Sequence, residues 1–557
     1  ELEEGDSFTA LVWLTEALRL DRGQPEIERK HRTWISLALQ HCPRLVQLLT
    51  CNRRVLRAQV GSWGCWVTTA GDDGAIRILD MMTGLAAGPG FKPENGSLVV
   101  GISPDGRLIA TAAADGTTQV WNRDSGELLG SPIHHAGPVV EASVSADDRV
   151  LLIRDTHSMV QLWDLSTRRG IPLDVGPEGV AVDAASSDDG YWLFTVHAGG
   201  RGRMWNTRTG RAASPALELG QHMVLAAPSA DGRRVALIDA DSGLWLLDAQ
   251  TGNSRLLVAS LRSEGMVNRV TFSPNGSPVL TVAGNRMRVW DAASGVPVAP
   301  PLWQRDTLLS AAFAGEQRLV AVGKDGVLRV WELPLERKAS GKPGAERSAT
   351  TGPKTVRAPR RIQLTDGMVI QVRTPATGAP VQPPRSYDRL IEHAAFSPDA
   401  RRVATAIDGR TIQVWDTATG TPLAAPLVHK EIPAYVAFSP DGTRLVTAST
   451  ARSVQVWDVG TGEPITPPLQ HPYELRTVAF RSDGQRVVAV STEGLERHWE
   501  LTPDKRPVAN LRSLAQVLSG RRHDGNSRLV PLDVAALRSA WDSSRPTSPN
   551  RASKPIR

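Results

Sequence analysis

An apolar strand ending in Trp-Asp, or a near variant of it, returns about every forty-two residues along most of this chain. The landmark residues are Leu79, Trp121, Trp163, Trp205, Leu247, Trp290, Trp331, Arg373, Trp415, Trp457 and Trp499. Successive intervals are 42, 42, 42, 42, 43, 41, 42, 42, 42 and 42 residues. A period this constant over eleven units means one supersecondary module copied in tandem, each copy burying its apolar face against its neighbours. Function then has to be sought on the surface of a scaffold.

Three turn signals recur in fixed order within the unit. An Asp-Gly pair precedes the landmark at Asp73-Gly74, Asp115-Gly116, Asp325-Gly326, Asp366-Gly367 and Asp408-Gly409, a dipeptide that supplies the positive φ angles of a tight hairpin. Further upstream lies Ser-Pro-Asp-Gly, at 103–106 and 439–442, with relatives at 229–232, 273–276 and 397–400; Pro presets the first turn residue and Asx-Gly closes the turn. A Thr-Gly or Ser-Gly turn follows the landmark, with glycines such as Gly126, Gly210, Gly295 and Gly462. Runs such as Tyr435–Phe438, Arg444–Ala448 and Ser453–Trp457 have about the five residues typical of strands. Three turns bound four short strands, which fill the roughly forty residues of one propeller blade.

Order, spacing and turn chemistry together make residues 44–503 resemble the WD-repeat β-propeller family. The Gly-His pair that opens a repeat in that family is mostly absent, although His135, His222, His429 and His471 stand near its place. Leu79, Leu247 and Arg373 replace the marker tryptophan, and Asn206, Glu332 and Glu500 the aspartate. These departures bear on the side-chain network between turns more than on the strand pattern.

The blade count predicts a partition. Seven landmarks precede Leu335–Pro359, which has no strand signal. The unit of Trp331 lacks a convincing fourth strand, while Arg44–Leu49 is an orphan strand ahead of the first unit. The resemblance implies closure by a strand lent from one terminus, so Leu45–Leu49 is expected to complete the Trp331 blade and leave no exposed edge. The expected fold is all-β: one closed seven-bladed ring over 44–332 plus four further WD units over 361–503, with short helical segments at both ends. Four blades are few for closure, so this second, incomplete propeller is expected to pack on the first ring, close irregularly or self-associate.

Residues 1–43 read as two amphipathic helices that resemble a truncated tetratricopeptide repeat, with Leu11, Leu14 and Leu18 on one face. Since the chain starts at Glu1, it is expected to be the C-terminal portion of something longer. A basic flexible linker is expected at 333–360, a helical tail at 504–542 with Asp533 as a cap, and disorder at 543–557. The net charge of +6 is concentrated in the linker, which carries eight basic and two acidic residues between Glu336 and Arg361. Neither set of blades is therefore a basic platform, and no nucleic acid is expected.

Cys42, Cys51 and Cys65 have no metal or redox spacing; a reducing interior suits them, and no segment is long and apolar enough to span a membrane, so a cytoplasmic location is expected. Of sixteen tryptophans eight are landmarks, which makes their abundance structural.

No phosphate-binding glycine loop, His-Glu-x-x-His helix or nucleophile elbow is present. His523-Asp524 has no partner nucleophile and reads as a surface turn. No cofactor, metal or catalytic residue is expected, and a non-catalytic protein–protein interaction scaffold is. In the resembled family, partners dock on the face where loops join the fourth strand of one blade to the next blade and the second strand to the third. The candidate rim residues are His134, His135, Trp303, Arg305, His429, Lys430, His471 and Tyr473, types that serve as interface anchors. Helical repeats followed by many WD units also resemble the C-terminal half of large bacterial Ser/Thr protein kinases. The alternative expectation is thus a regulatory region whose kinase domain lies upstream.

Overall fold

The computed structural model describes residues 7–544 apart from short stretches within turns and the longer ones 91–98, 174–180, 335–360 and 374–384, with backbone alone for the strands between 361 and 393. The expected basic linker, the last residues of the chain and Lys430 lie outside the described residues. The chain forms two compact units, Cys42–Leu335 with Gln516–Arg557, and Glu1–His41 with Glu336–Ala515.

Each landmark lies in its own antiparallel sheet. In the unit of Cys42–Leu335 the sheets of Trp121, Trp163, Trp205, Leu247 and Trp290 have four strands in sequence order, and that of Leu79 has three. The sheet of Trp331 departs from sequence order. Its own strands Leu308–Phe313, Arg318–Gly323 and Val327–Glu332 are completed on the outer side by Arg44–Thr50. The added strand is antiparallel, with Leu45 opposite Trp331, Leu49 opposite Leu328 and Thr50 opposite Val327, and one irregularity between Leu45 and Gln47. Val327, Leu328, Val330 and Trp331 are all buried, as a strand flanked on both sides requires.

First strands of neighbouring sheets pack together: Val55–Val60 lies against Leu308–Phe313 and Val99–Ile102, the latter against Val139–Val144, and Ala181–Ser186 against Met223–Pro228. Valine, leucine and alanine from adjacent sheets fill the spaces between them, as where Val320, Val322 and Val330 meet Val67 and Leu79.

The fourth strand, expected at about five residues, has that length in the Leu247 sheet, as Ser254–Val258, and is shorter in the other sheets whose own fourth strand is described. In several sheets it is a single bridge beside the landmark, such as Trp290 with Pro297 or Trp457 with Pro464, followed by a two-residue strand such as Leu302–Trp303 or Leu469–Gln470. Pro300, Pro301, Pro467 and Pro468 intervene, and a residue without an N–H cannot continue a ladder.

Side chains account for the turn signatures. In Ser-Pro-Asp-Gly and its relatives the serine hydroxyl donates to the aspartate two residues on, at 2.7 Å for Ser103 and Asp105 and 2.5 Å for Ser439 and Asp441. The same hydroxyl accepts the N–H five residues on, at 3.0 Å and 2.9 Å. The aspartate after the landmark accepts turn N–H groups, Asp458 from Gly460 and Thr461 at 2.8 and 2.9 Å; Asn206 does so from Thr209, which explains why Asn substitutes there.

The unit of Glu1–His41 with Glu336–Ala515 holds the sheets of Arg373, Trp415, Trp457 and Trp499. The Trp499 sheet has three described strands and ends at Glu496–Glu500. Helix Pro25–Gln40 covers that edge: the Gln40 amide donates to the Glu500 carbonyl at 2.8 Å and accepts its N–H at 2.9 Å, as a paired strand would. Leu37 joins the cluster of Phe480, Val487 and Trp499, and Trp34 donates to the Ile465 carbonyl at 2.7 Å. The N-terminal helices Ser7–Leu20 and Pro25–Gln40 thus serve as a cover for the last sheet.

The C-terminal region, expected as helices joined by a loop, contains a short hairpin, Arg521–His523 with Leu529–Pro531, between helices Val508–Ser519 and Val534–Ser544. Strands of three residues are too short to show a period. Asp533 caps the last helix through Ala536 N–H at 2.7 Å, and that helix packs on the lent strand Arg44–Thr50. No described helix is long and apolar enough to cross a membrane.

One turn position is exceptional. Glycine at positive φ closes the Ser-x-Asp turn at Gly106 and Gly442, whereas Asp148 stands there with φ 56°. Burial, then the neighbouring Asp105 carboxylate, pushes its pKa up to about 6. A carboxyl with a raised folded pKa contributes stability below the unfolded value and loses it as the pH rises through the folded one. Asp148→Asn, which keeps shape and tolerates this φ, is expected to stabilise the protein at pH 7.5 by about 1 kcal/mol after allowance for screening. The gain should vanish near pH 4 in urea titrations; an equal effect at both pH values would contradict the assignment.

Candidate partner-binding rim

Register explains which side chains reach the loop face. The two-residue fourth strand pairs with the start of the third, His134 opposite Thr117 and Trp303 opposite Arg286. The next residue donates its N–H to the turn between second and third strands: His135 to Gly116, Gln304 to Asn285, His429 to Arg410 and His471 to Arg452, all at 2.8 or 2.9 Å. These four positions are structurally equivalent, and so are the exposed ones beside them.

The histidines at this position cement one sheet to the next. Each ring lies against the landmark tryptophan of the following unit, His135 on Trp163 at 6.4 Å, His429 on Trp457 at 4.8 Å and His471 on Trp499 at 6.4 Å between centroids. His135 bridges Gln161 and Thr118, each at 3.1 Å. Gln161 Oε1 also takes the Trp163 indole N–H, so His135 donates from Nδ1 and accepts the Thr118 hydroxyl at Nε2. Burial holds His135 and His471 below the usual imidazole range, against the opposing bonds from Gln161 and Tyr473. His429 and His471 are buried, and His471 Nδ1 lies 2.9 Å from the Tyr473 carbonyl oxygen and 3.1 Å from the Tyr473 amide nitrogen.

In the unit of Cys42–Leu335, His134 and Arg305 are exposed and His135 and Trp303 half-buried. The Arg286 guanidinium lies 3.5 Å from the Trp303 ring centre, and Arg329 donates to the Trp303 carbonyl at 3.0 Å. In the other unit Tyr473 is half-buried, while Val428 is 70% and Ile432 46% exposed in the loop that carries His429. The candidates therefore divide into pinned histidines and outward neighbours, on rims belonging to separate units.

Sequence reading passed over two kinds of residue. One is the threonine of the middle strand that accepts the landmark indole N–H: Thr111 from Trp121, Thr195 from Trp205, Thr281 from Trp290, Thr405 from Trp415 and Thr447 from Trp457, at 2.8–3.0 Å. Its spacing, nine or ten residues before the landmark, was a readable signal. The other is the Gln or Arg two residues before the landmark. Arg203, Arg288 and Arg497 lie over their own landmark rings, and Gln413 donates to the Ala424 carbonyl at 2.8 Å.

Arg329 occupies this position in the Trp331 sheet and is 1% exposed. Burial lowers its pKa to about 10, against the attraction of Asp325, and burial raises the Asp325 carboxyl. Its guanidinium abuts Gly520, so the C-terminal region helps to bury it. Among the described residues no group of three or more His, Cys, Asp or Glu could hold a metal ion.

A histidine with a lowered folded pKa contributes its stability above the unfolded value of roughly 6.5 and loses it as the pH falls toward the folded one. The urea midpoint of the unit containing His471 is therefore expected to fall between pH 7.5 and 5.5, and His471→Gln to flatten that fall. An unchanged slope would contradict the role.

The WD domain, G-beta repeat family model matches residues 93–122 and 428–458. The intraflagellar transport protein 122 homolog of Danio rerio is 32% identical over 74 residues, and that of Homo sapiens 29% over 76, covering 13% and 14% of this chain. The chain spans 6% of the length of these relatives. The β-propeller domain of Cps50 (Swd1) from Myceliophteria_thermophila aligns with 52% of this chain and 99% of its own, at 15% identity and a TM-score of 0.43. The family's repeat is thus matched at two of the periodic units, those of Trp121 and Trp457, so this chain carries WD repeats there.

Proposed function

We propose that this chain is a non-catalytic interaction scaffold whose loop rims bind protein partners. In this reading the seven sheets between residues 44 and 332 close as a ring, and the four further repeats form a second, incomplete propeller across a basic linker. Closure is supported by the antiparallel pairing of Arg44–Thr50 with Val327–Glu332. WD-repeat proteins typically serve as interaction scaffolds. The observation that carries the rim assignment is the alternation within each connecting loop. The residue at the pinned position, a histidine or glutamine in four loops and Leu219 or Leu261 in two others, is hydrogen-bonded to the adjacent turn, while His134, Arg305 and Val428 beside it project outward. Rigid backbone with exposed side chains lowers the entropy lost on binding.

The alternative, a regulatory region downstream of a bacterial Ser/Thr kinase domain, rests on sequence resemblance alone and would use the same rims. A cytoplasmic location agrees with the cysteine content. Self-association through the four-repeat arc would avoid the Trp499 edge, which Gln40 occupies.

Affinity capture with the full chain tests the rim. The triple variant His134→Glu, Arg305→Glu, Val428→Asp is expected to lose the proteins that the wild type retains, while Arg107→Glu, on the turn between first and second strands, keeps them. Equal retention by both variants would overturn the assignment.

A further inference from the structure

The first strands of the unit Cys42–Leu335 enclose a cavity of about 420 Å³. Its wall is built by an irregularity repeated in these strands. Pairing breaks between Val55 and Arg57, Ala181 and Asp183, Val267 and Arg269, and Leu308 and Ser310. Such a bulge twists the strand and re-aims the following side chain, and Arg57, Asp183, Arg269 and Ser310 all line the cavity.

The charges on the wall are unevenly satisfied. Arg154 pairs with Asp183 at 3.3 Å, and Asp183 also accepts the Ala226 N–H at 3.2 Å, so that side is neutral and hydrogen-bonded. Arg269 donates to the Ser310 hydroxyl at 3.4 Å, which also accepts the Val60 N–H at 3.2 Å. Neither Arg57 nor Arg269 has a carboxylate partner among the described residues. The strand bearing Ser310 packs against those of the sheets that carry Arg57 and Arg269. Two guanidinium groups with no carboxylate partner among the described residues thus flank a hydroxyl on one side of a concave chamber, where low-dielectric walls concentrate positive potential.

We propose that this cavity binds a small phosphate-bearing anion, held by Arg57 and Arg269 with Ser310 between them. Two planar forks approaching from different sheets suit the tetrahedral oxygens of a phosphate, whereas a lone carboxylate is served by one fork. The volume lies within the ~300–1,000 Å³ of small-molecule sites. Leu225, Val270 and Leu309 supply apolar wall beside the cations, which fits a phosphorylated organic molecule as well as a free ion.

Isothermal titration of the full chain at fixed ionic strength, with inorganic phosphate, pyrophosphate and citrate in separate arms, tests the proposal. Saturable binding of pyrophosphate is expected, at least tenfold weaker in Arg57→Gln and in Arg269→Gln and unchanged in Arg107→Gln, which removes a charge elsewhere. Arg57 is exposed, so its variant keeps the fold, and thermal melts verify this for all three. Phosphate binding as tightly as pyrophosphate would assign a free-ion site of the same chemistry. Absence of saturable heat with both phosphates, preference for citrate, or wild-type affinity in either the Arg57 or the Arg269 variant would overturn the proposal.

Discussion

The antiparallel pairing of Arg44–Thr50 with Val327–Glu332 is the contact on which the larger unit depends. A strand whose N–H and C=O groups face water on one side is a template for unwanted pairing, and Val327–Glu332 would be such an edge without its upstream partner. The register puts Leu45 beside Trp331 and Leu49 beside Leu328. Leu45 and Leu48 are buried there, and fully burying a leucine side chain stabilises by about 1.5–3 kcal/mol. The C-terminal helix Val534–Ser544 then lies on the lent strand, so both ends of the unit's chain meet at one sheet.

The smaller unit meets the same requirement by another route. Its last sheet has no fourth described strand, and a side-chain amide on a helix supplies the donor and acceptor that a strand would have offered at Glu500. Between sheets, the same polar contacts repeat: an indole N–H on a buried threonine, and an imidazole against the next indole. Buried polar groups must be paired, and tandem copying places each pair at the same depth in several sheets. This leaves variation to the exposed loop neighbours, where Arg305 stands in one repeat and Val428 in another.

Much of this was legible in the chain because the period is long and its punctuation chemical. Asp-Gly, Ser-Pro-Asp-Gly and Thr-Gly each force a turn, so strand number and order followed without reference to packing. The lent strand was visible because Arg44–Leu49 had no place in the forty-two-residue count. The fourth strand was overestimated because prolines remove ladder donors without ending the apolar pattern. The connecting loops were legible, but not which of their residues are pinned and which are exposed. His429 and Val428 are adjacent in sequence, yet register buries the first and exposes the second, and a sequence without strand pairing cannot tell them apart. The arginines of the cavity were hidden for the same reason, since the irregularity that aims them inward leaves no residue signature.

Amide hydrogen exchange on the full chain tests the central pairing most directly. Arg44–Thr50 and Val327–Glu332 are expected to be protected to the same degree and to lose protection together as urea is raised. Exchange of Arg44–Thr50 at the rate of an unstructured segment, with Val327–Glu332 still protected, would contradict the account.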